Sequence, residues 1–392
     1  MKNHFIPTLS TVVLVMALHL GASRADESSV QNGTKPIRIA TYNASLFGKL
    51  TGQVAERLSS GDNRQAQSIA AIIQTIRPDI LLVNEIDHEF DVKTAKQLRD
   101  LYFLKGYGDR QPIDYPFVYS APSNTGIASG LDLNGDGTVD GPDDAWGYGI
   151  YPGQYSFAIF SRFPIDIYSI RTFQKFNWSK LPGAIRPIDP ESSKSFHSDE
   201  IWNALRLSSK NHVDVPIMIG ERQIHVLASH PTPPVFDGPE DRNGCRNHDE
   251  IAFWSKYIEG DSAIIDDFGV SGGLAANSSF VIMGDLNSDP IDGDSRQDAI
   301  RALLSHPQIT DPKPRRVSST MATPDAEAND TADFGRVGEM RADYVLPSRD
   351  IKTTESQVFW PSQGEPGSDW IHASDHRMVW IDVILPVVKS VP

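Results

Sequence analysis

The chain has 392 residues, with 51 acidic and 36 basic residues and a formal net charge of −15 at pH 7. That balance excludes a protein that grips nucleic acid through a broad basic footprint, and the single Cys245 excludes an internal disulfide. It leaves open an enzyme acting on phosphate esters, because bound divalent cations reverse the field at a carboxylate-lined site.

The N-terminus reads as a targeting segment. Lys2 precedes the apolar run "TVVLVMALHLGA" (11–22), and Ser23 and Ala25 flank Arg24 in "SRA". This is the pattern of a signal peptide cut near Ala25. The run is short for a membrane span, and an uncleaved anchor is the alternative. Losing residues 1–25 removes Lys2 and Arg24 and takes the net charge from −15 to −17. The expectation is a secreted or periplasmic protein with no stable membrane association. Residues 26–36, "DESSVQNGTKP", read as a flexible leader.

"IRIATYN" (37–43) has the pattern of a strand. In "RQAQSIAAIIQTI" (64–76), Ile69, Ile72, Ile73 and Ile76 recur at helical spacing, and "DILLVNEID" (79–87) is a near-continuous apolar strand. Together they form a βαβ-type signal. Further strands are expected at "YSFAIFS" (155–161), "IDIYSI" (165–170), "VDVPIMI" (213–219), "QIHVLAS" (223–229), "FVIMGD" (280–285), "ADYVLPS" (342–348) and "HRMVWIDVIL" (376–385). Helices are expected at 248–258 and 295–305. Strands that follow each other without an intervening helix imply hairpins and mixed sheets. The fold class is α/β, with two sheets covered by helices. No linker rich in Pro, Gly or Ser divides the chain, so residues 37–388 are expected to form one domain with an insertion at about 121–150.

Several apolar strands end or begin on polar residues. Asn43, Glu85, His230, Asp285 and Asn287 close strands, whereas Asp343, Asp375 and His376 open them. Antiparallel pairing brings such starts and ends to one sheet edge, so these residues are expected to converge. Carboxylates such as Glu85 and Asp375 suit a hard cation such as Mg²⁺. Asp285 or a His–Asp pair suits the orientation and deprotonation of water. Asn43 and Asn287 can hold water or phosphate oxygens without adding charge. A protonated His230 can offset charge on the phosphate or the leaving oxygen. The set points to hydrolysis of a phosphate ester.

With these residues in view, the sequence resembles the endonuclease/exonuclease/phosphatase superfamily of DNase I-like nucleases, inositol polyphosphate 5-phosphatases and bacterial sphingomyelinases. The resemblance rests on "TYN", "NEID", "FSRFPI", "SHPTPP", "GDLNSDP", "RADYVLPS" and "SDH". It implies a four-layer α/β sandwich with two central mixed β-sheets flanked by helices. It implies that Glu85, Asp375 and Asn43 serve a catalytic Mg²⁺ or Mn²⁺. Asp285, with Asn287 beside it, would orient or activate water, and His230 would contact phosphate and assist the leaving group. His376 paired with Asp343 would be a phosphate contact or general base. Arg162 in "FSRFP" is a weaker candidate for a phosphate contact, against an ordinary salt bridge.

"DLNGDGTVDGPDD" (132–144) is a separate signal. Asp132, Asn134, Asp136, Thr138, Asp140 and Asp143 occupy positions 1, 3, 5, 7, 9 and 12 of a calcium loop, with Gly137 at the sharp turn. The pattern is similar to the calcium loops of dockerins, with Asp in place of Glu at the twelfth position. A structural Ca²⁺ is expected there, against a solvated acidic loop. The stretch 232–250 is expected as a loop beside the site, where Asp241, Arg242, Arg246 and His248 are possible substrate contacts. Trp178 and Lys180 are possible contacts from "FNWSKLPGA" (176–184).

The expected function is a secreted divalent-metal-dependent phosphoesterase acting on mono- or diesters, with small molecules or nucleotides favoured over duplex DNA. An extracellular nuclease is the first alternative, and a non-catalytic calcium-dependent binding module is the second.

Overall fold

A computed structural model describes residues 35–316 and 328–386, which belong to one compact unit. The expected signal peptide and residues 26–34 of the leader lie outside the described residues.

Two mixed sheets form the centre. The first takes strands from both halves of the chain, and its first-half strands are β1 (Ile37–Leu46), β2 (Ile80–Ile86), β3 (Phe117–Tyr119) and β4 (Ser156–Ser161). The second holds β5 (Arg171–Thr172), β6 (His212–Ile219), β7 (Arg222–Ser229) and β8 (Phe280–Asp285). Next come β9 (Arg315–Arg316), β10 (Asp343–Pro347), β11 (Lys352–Val358) and β12 (Val379–Ile384). The first sheet has the order β9-β11-β12-β1-β2-β4-β3, and the second β10-β8-β7-β6-β5. In each sheet, parallel and antiparallel ladders are mixed. β1 runs parallel to β2 and β8 to β7, whereas β12 and β10 run antiparallel to their neighbours β1 and β8.

Side-chain alternation sorts the strands into layers. Ile39, Ile80, Leu82, Val281, Met283, Val213 and Val215 face one another between the sheets. The alternate residues Ala40, Tyr42, Leu81 and Val83 pack on α2 (Arg64–Ile76), whose Ile69, Ile72 and Ile73 supply the outer layer together with the short α1 (Gln53–Leu58) and α3 (Lys93–Leu98). A further short helix, α4 (Asp199–Ala204), precedes β6. On the other side, Phe280, Ile282 and Leu286 pack against α5 (Arg242–Ile258) and α6 (Gln297–Leu304). The result is helix, sheet, sheet, helix, as expected.

Two local expectations change, and one seven-residue strand forms where none was expected. Residues 165–170 make no strand. Only Ile165 bridges, to Ile217, and the Asp166 carboxylate closes a turn by accepting from Tyr168 N and Ser169 Oγ. The helix expected from 248 begins at Arg242, because its first turns bury Gly244 and Cys245 and tie polar side chains to neighbouring carbonyls. Strand β11, "KTTESQV", went unread because its exposed pattern carries little apolar signal.

Candidate active site

The site lies where β1, β2, β7 and β8 end and where β10 and β12 begin. Cα pairing of Asp285 with Asp343 across β8 and β10 puts the last residue of one strand against the first of the other. Asp285 has the same parity as Val281 and Met283, so it emerges between the sheets. Leu286 turns into the outer core.

Glu85 reaches the same place by a different route. Simple alternation after Leu81 and Val83 would send it toward α2. Instead β2 carries a bulge between Asn84 and Ile86, where Glu85 adopts φ +56°. Ile86 then takes the inner position beside α2. The adjoining irregularity in β1 holds Ser45 at φ +46°. Asn287 sits at φ +50°, its backbone N–H bonded to Asp285 Oδ1 at 2.9 Å and its amide donating to the Pro231 carbonyl at 3.1 Å. Non-glycine residues held in this region mark a backbone shaped by its surroundings.

One oxygen is the centre. Asn43 Nδ2 donates to Asp285 Oδ2 at 3.0 Å and to Glu85 Oε1 at 3.0 Å. His230 Nε2 stands 3.4 Å from Asp285 Oδ2, and His376 Nε2 stands 3.7 Å from it. The other His376 nitrogen, Nδ1, donates to Asp343 Oδ2 at 2.8 Å. Asp375, at the exposed rim, accepts from Ser45 Oγ at 2.6 Å. The structure therefore brings together Asn43, Glu85, His230, Asp285, Asp343, Asp375 and His376, with Asn287 adjoining.

Burial and charge set the protonation states. Burial pushes the Asp285 carboxyl up, and Asp343 adds to this while His376 opposes it. Burial likewise raises Glu85. Burial alone would lower His376, but the Asp343 and Asp285 carboxylates outweigh it and hold the imidazolium up. His230 is driven well below its usual range by burial and by the cations Lys210 and His376. Burial and the neighbouring cations thus work against the expected protonated form of His230, whereas the carboxylates around His376 favour charge there.

Lys210 was missed. It is buried just before β6, its Nζ donating to the Pro231 carbonyl at 3.4 Å. Burial lowers its ammonium, while Glu250, Glu85 and Asp285 act to keep it charged. The available signal was a lysine in "SSKNH" at the mouth of the hairpin that ends on His230. Ser45 and Thr331 were also missed. Thr331 Oγ1 donates to Asp343 Oδ2 at 2.8 Å.

Other candidates fall elsewhere. Arg162 is at the far end of β4, paired with Asp79 Oδ1 at 2.8 Å, so the salt bridge replaces the phosphate contact. Asp241 pairs with Arg296, and His248 pairs with Asp249. Arg242, Arg246 and Trp178 line a cavity that opens beside Glu85 and His230. Trp178 Nε1 donates to Asp249 at 2.6 Å, and Lys180 is exposed. Cys245 is buried, and burial pushes its thiol up to about 11.

The donor set fits a hard cation. Glu85, His230 and Asp285 offer ligand atoms within 4.8 Å of one another, as do Asp285, Asp343 and His376. Asp343 Oδ1 and His230 Nδ1 are buried without a hydrogen-bond partner. Carboxylates outnumber the cations Lys210 and His376, an imbalance that an oxygen-seeking divalent ion offsets.

The sequence matches the Endonuclease/Exonuclease/phosphatase family over residues 40–376, a span that takes in every residue of this cluster. The chain belongs to that family. Its members are phosphoesterase- and nuclease-type hydrolases, and the cluster has the chemistry of such a family. A solved family protein from Beutenbergia cavernae is 17% identical with a TM-score of 0.51, the match covering 91% of this chain and 73% of that one, and so shares the fold. The family protein from Leptotrichia buccalis is 15% identical with a TM-score of 0.48, covering 89% of this chain and all of that one. The human nocturnin catalytic domain is 13% identical with a TM-score of 0.45, covering 89% and 94%. No match was found among curated proteins. No helix of the described residues is long and apolar enough to cross a membrane.

Proposed function

We propose that this chain is an exported, divalent-metal-dependent phosphoesterase that hydrolyses phosphate mono- or diesters by attack of water. The observation that carries the reading is the convergence of Asn43, His230 and His376 on Asp285 Oδ2, with Glu85 and Lys210 beside it. Export rests on the pattern of residues 1–25.

Glu85 and Asp375, with the Asn43 carbonyl oxygen, would hold Mg²⁺ or Mn²⁺, which supplies charge stabilisation at the phosphoryl oxygens. Asp285, raised by burial toward neutral pH, is placed to accept a proton from water that Asn287 helps to orient. The His376 imidazolium, held by Asp343, and the Lys210 ammonium offset charge on the phosphate. Neutral His230 keeps Asp285 in position through Nε2.

The test is hydrolysis of bis-(p-nitrophenyl) phosphate, p-nitrophenyl phosphate and plasmid DNA, each with Mg²⁺, Mn²⁺, Ca²⁺ or EDTA. Turnover that disappears in EDTA and in Asp285→Ala and His376→Ala is expected, with small esters cleaved faster than the plasmid. EDTA-resistant turnover, or turnover retained by both variants, sinks the reading.

A structural Ca²⁺ in the 132–143 loop belongs to the same proposal. Asp132 accepts from Gly135 N at 2.7 Å and Gly137 N at 2.9 Å, and Asp136 accepts from Thr138 N and Oγ1, so the backbone is already wound around its acids. Ca²⁺ should raise the Tm of the protein, and Asp132→Ala should remove that rise. Equal Ca²⁺ effects in both proteins would end the assignment.

A further inference from the structure

The reacting cluster does not stand on an open face. A cavity of about 580 Å³ begins at Glu85, His230, Lys210 and Asp375. Most of its remaining walls come from segments outside the strand framework, residues 133–148, 178–209 and 232–246, and Ser45, Phe47 and Tyr155 complete them from the end of β1 and the approach to β4. Its volume is that of a site for a small organic molecule.

Its chemistry changes away from the cluster. Trp178, Leu133 and Leu205 are buried there, whereas Phe236, Tyr148 and Phe47 are exposed. These walls are apolar and aromatic. The Trp178 indole N–H is committed to Asp249, so the ring offers only a packing surface. Both arginines are engaged as well. Arg246 donates to the carbonyls of Leu207, Trp146 and Arg206, and Arg242 pairs with Glu240. His197 is brought down to about 4 by burial and by Arg242, Arg246 and Arg186, and so is neutral. Thr232 Oγ1 is buried in the wall with no hydrogen-bond partner, and so offers one polar contact.

We propose that this cavity is the subsite for the organic part of the ester. It takes a compact, uncharged aromatic group of one or two rings, attached to a phosphate held between Asp285 and Lys210. Planar rings fill a pocket walled by aromatic side chains at low entropic cost and gain from offset or edge-on packing. A duplex, whose bases are stacked inside and whose neighbouring phosphates are charged, presents no such group. The proposal deepens the phosphoesterase reading and rests on it.

The test is calorimetric titration of the Mg²⁺-loaded protein with methylphosphonate, phenylphosphonate and 1-naphthylphosphonate, alongside turnover of bis-(p-nitrophenyl) phosphate. Affinity should rise about tenfold or more from methyl to naphthyl. Val235→Trp, which fills the cavity from a half-buried wall position, should collapse that rise. Phe236→Ala, at an exposed position that folding does not depend on, should reduce it several-fold. A flat series in the wild type, a failure of every phosphonate to bind, or a rise untouched by both variants overturns the subsite. Aryl preference without turnover would remove the catalytic reading and keep the subsite. Turnover with a flat series would do the reverse.

Discussion

His376 Nδ1 donates to Asp343 Oδ2 at 2.8 Å, and both side chains are sealed from solvent. The carboxylate is itself fixed. Thr331 Oγ1 donates to the same oxygen, while the backbone N–H groups of Ala342 and Asp343 donate to Thr331 Oγ1. The pair therefore sets both the direction and the charge of the ring, whose Nε2 faces Asp285.

Asp343→Asn keeps the shape and removes the charge that holds His376 protonated. A raised imidazolium loses its proton earlier once its carboxylate is gone, so the alkaline limb of the activity profile should move to lower pH. Activity at neutral pH should fall by about 10²–10⁴-fold. The measurement is kcat/KM for bis-(p-nitrophenyl) phosphate against pH. An unmoved alkaline limb would mean that His376 is not the group titrating there.

Lys210 supports a second prediction. Lys210→Met keeps the length of the side chain in its buried slot and removes its ammonium. A loss of about 10²–10³-fold in kcat/KM is expected, the scale for removing one fixed electrostatic donor. Mg²⁺ affinity, read by calorimetry, should not weaken, because a cation has been taken away from beside Glu85 and Asp285. Weaker metal binding together with lower activity would show that Lys210 acts by holding the site's shape.

His376, Asp343 and Lys210 show what was legible in the sequence. His376 and Asp343 were readable because each opens an apolar strand, and antiparallel pairing sends such positions to a common edge. Lys210 obeys the same rule, but a lysine before a strand is an ordinary surface residue until the hairpin it opens is known to end on His230. Glu85 joins the cluster although strict alternation argues against it. Its bulge depends on a left-handed φ that nothing in "LLVNEID" announces. The start of α5 was hidden because Arg246 and Asn247 read as loop residues, and only the fold supplies the carbonyls that satisfy them. Arg162 misled because sequence shows a conspicuous arginine and not the end of the strand on which it sits.

His212 supports a prediction about stability. Its ring packs against Phe253 and Trp254, Nε2 donates to the Glu250 carbonyl at 2.8 Å, and Nδ1 meets Ser208 Oγ at 2.6 Å. Burial, aided by Arg246 and opposed by Glu250, lowers it to about 4. An unfolded histidine titrates near ~6.5, so between those values the unfolded chain binds a proton that the folded chain refuses. This part of the stability is complete above the unfolded value and is lost as pH falls toward the folded one, up to about 3 kcal/mol. Thermal unfolding of the wild type should weaken between pH 7 and pH 4.5, and His212→Gln should show a smaller decline from a lower starting point. Parallel declines would assign the acid sensitivity to other groups.

Gly284 explains why a glycine precedes Asp285. Its φ is +150°, and a Cβ there would lie 2.0 Å from the Ser229 carbonyl oxygen, on the neighbouring strand β7. That oxygen cannot step aside without moving His230, the next residue in the chain. Gly183 is the useful contrast, since its φ is +85° but no atom lies within 4 Å of the added Cβ. Gly183→Ala should cost about 1–2 kcal/mol for the backbone conformation alone. Gly284→Ala should cost on the order of 3 kcal/mol or more, because a steric clash is added to the strain. It should also lower kcat/KM in whatever fraction folds. Comparison of the two variants by chemical denaturation separates the terms: equal losses would leave backbone conformation as the whole cause, whereas a larger loss at Gly284 ties the glycine to the close approach of β7 and β8 that brings His230 to Asp285.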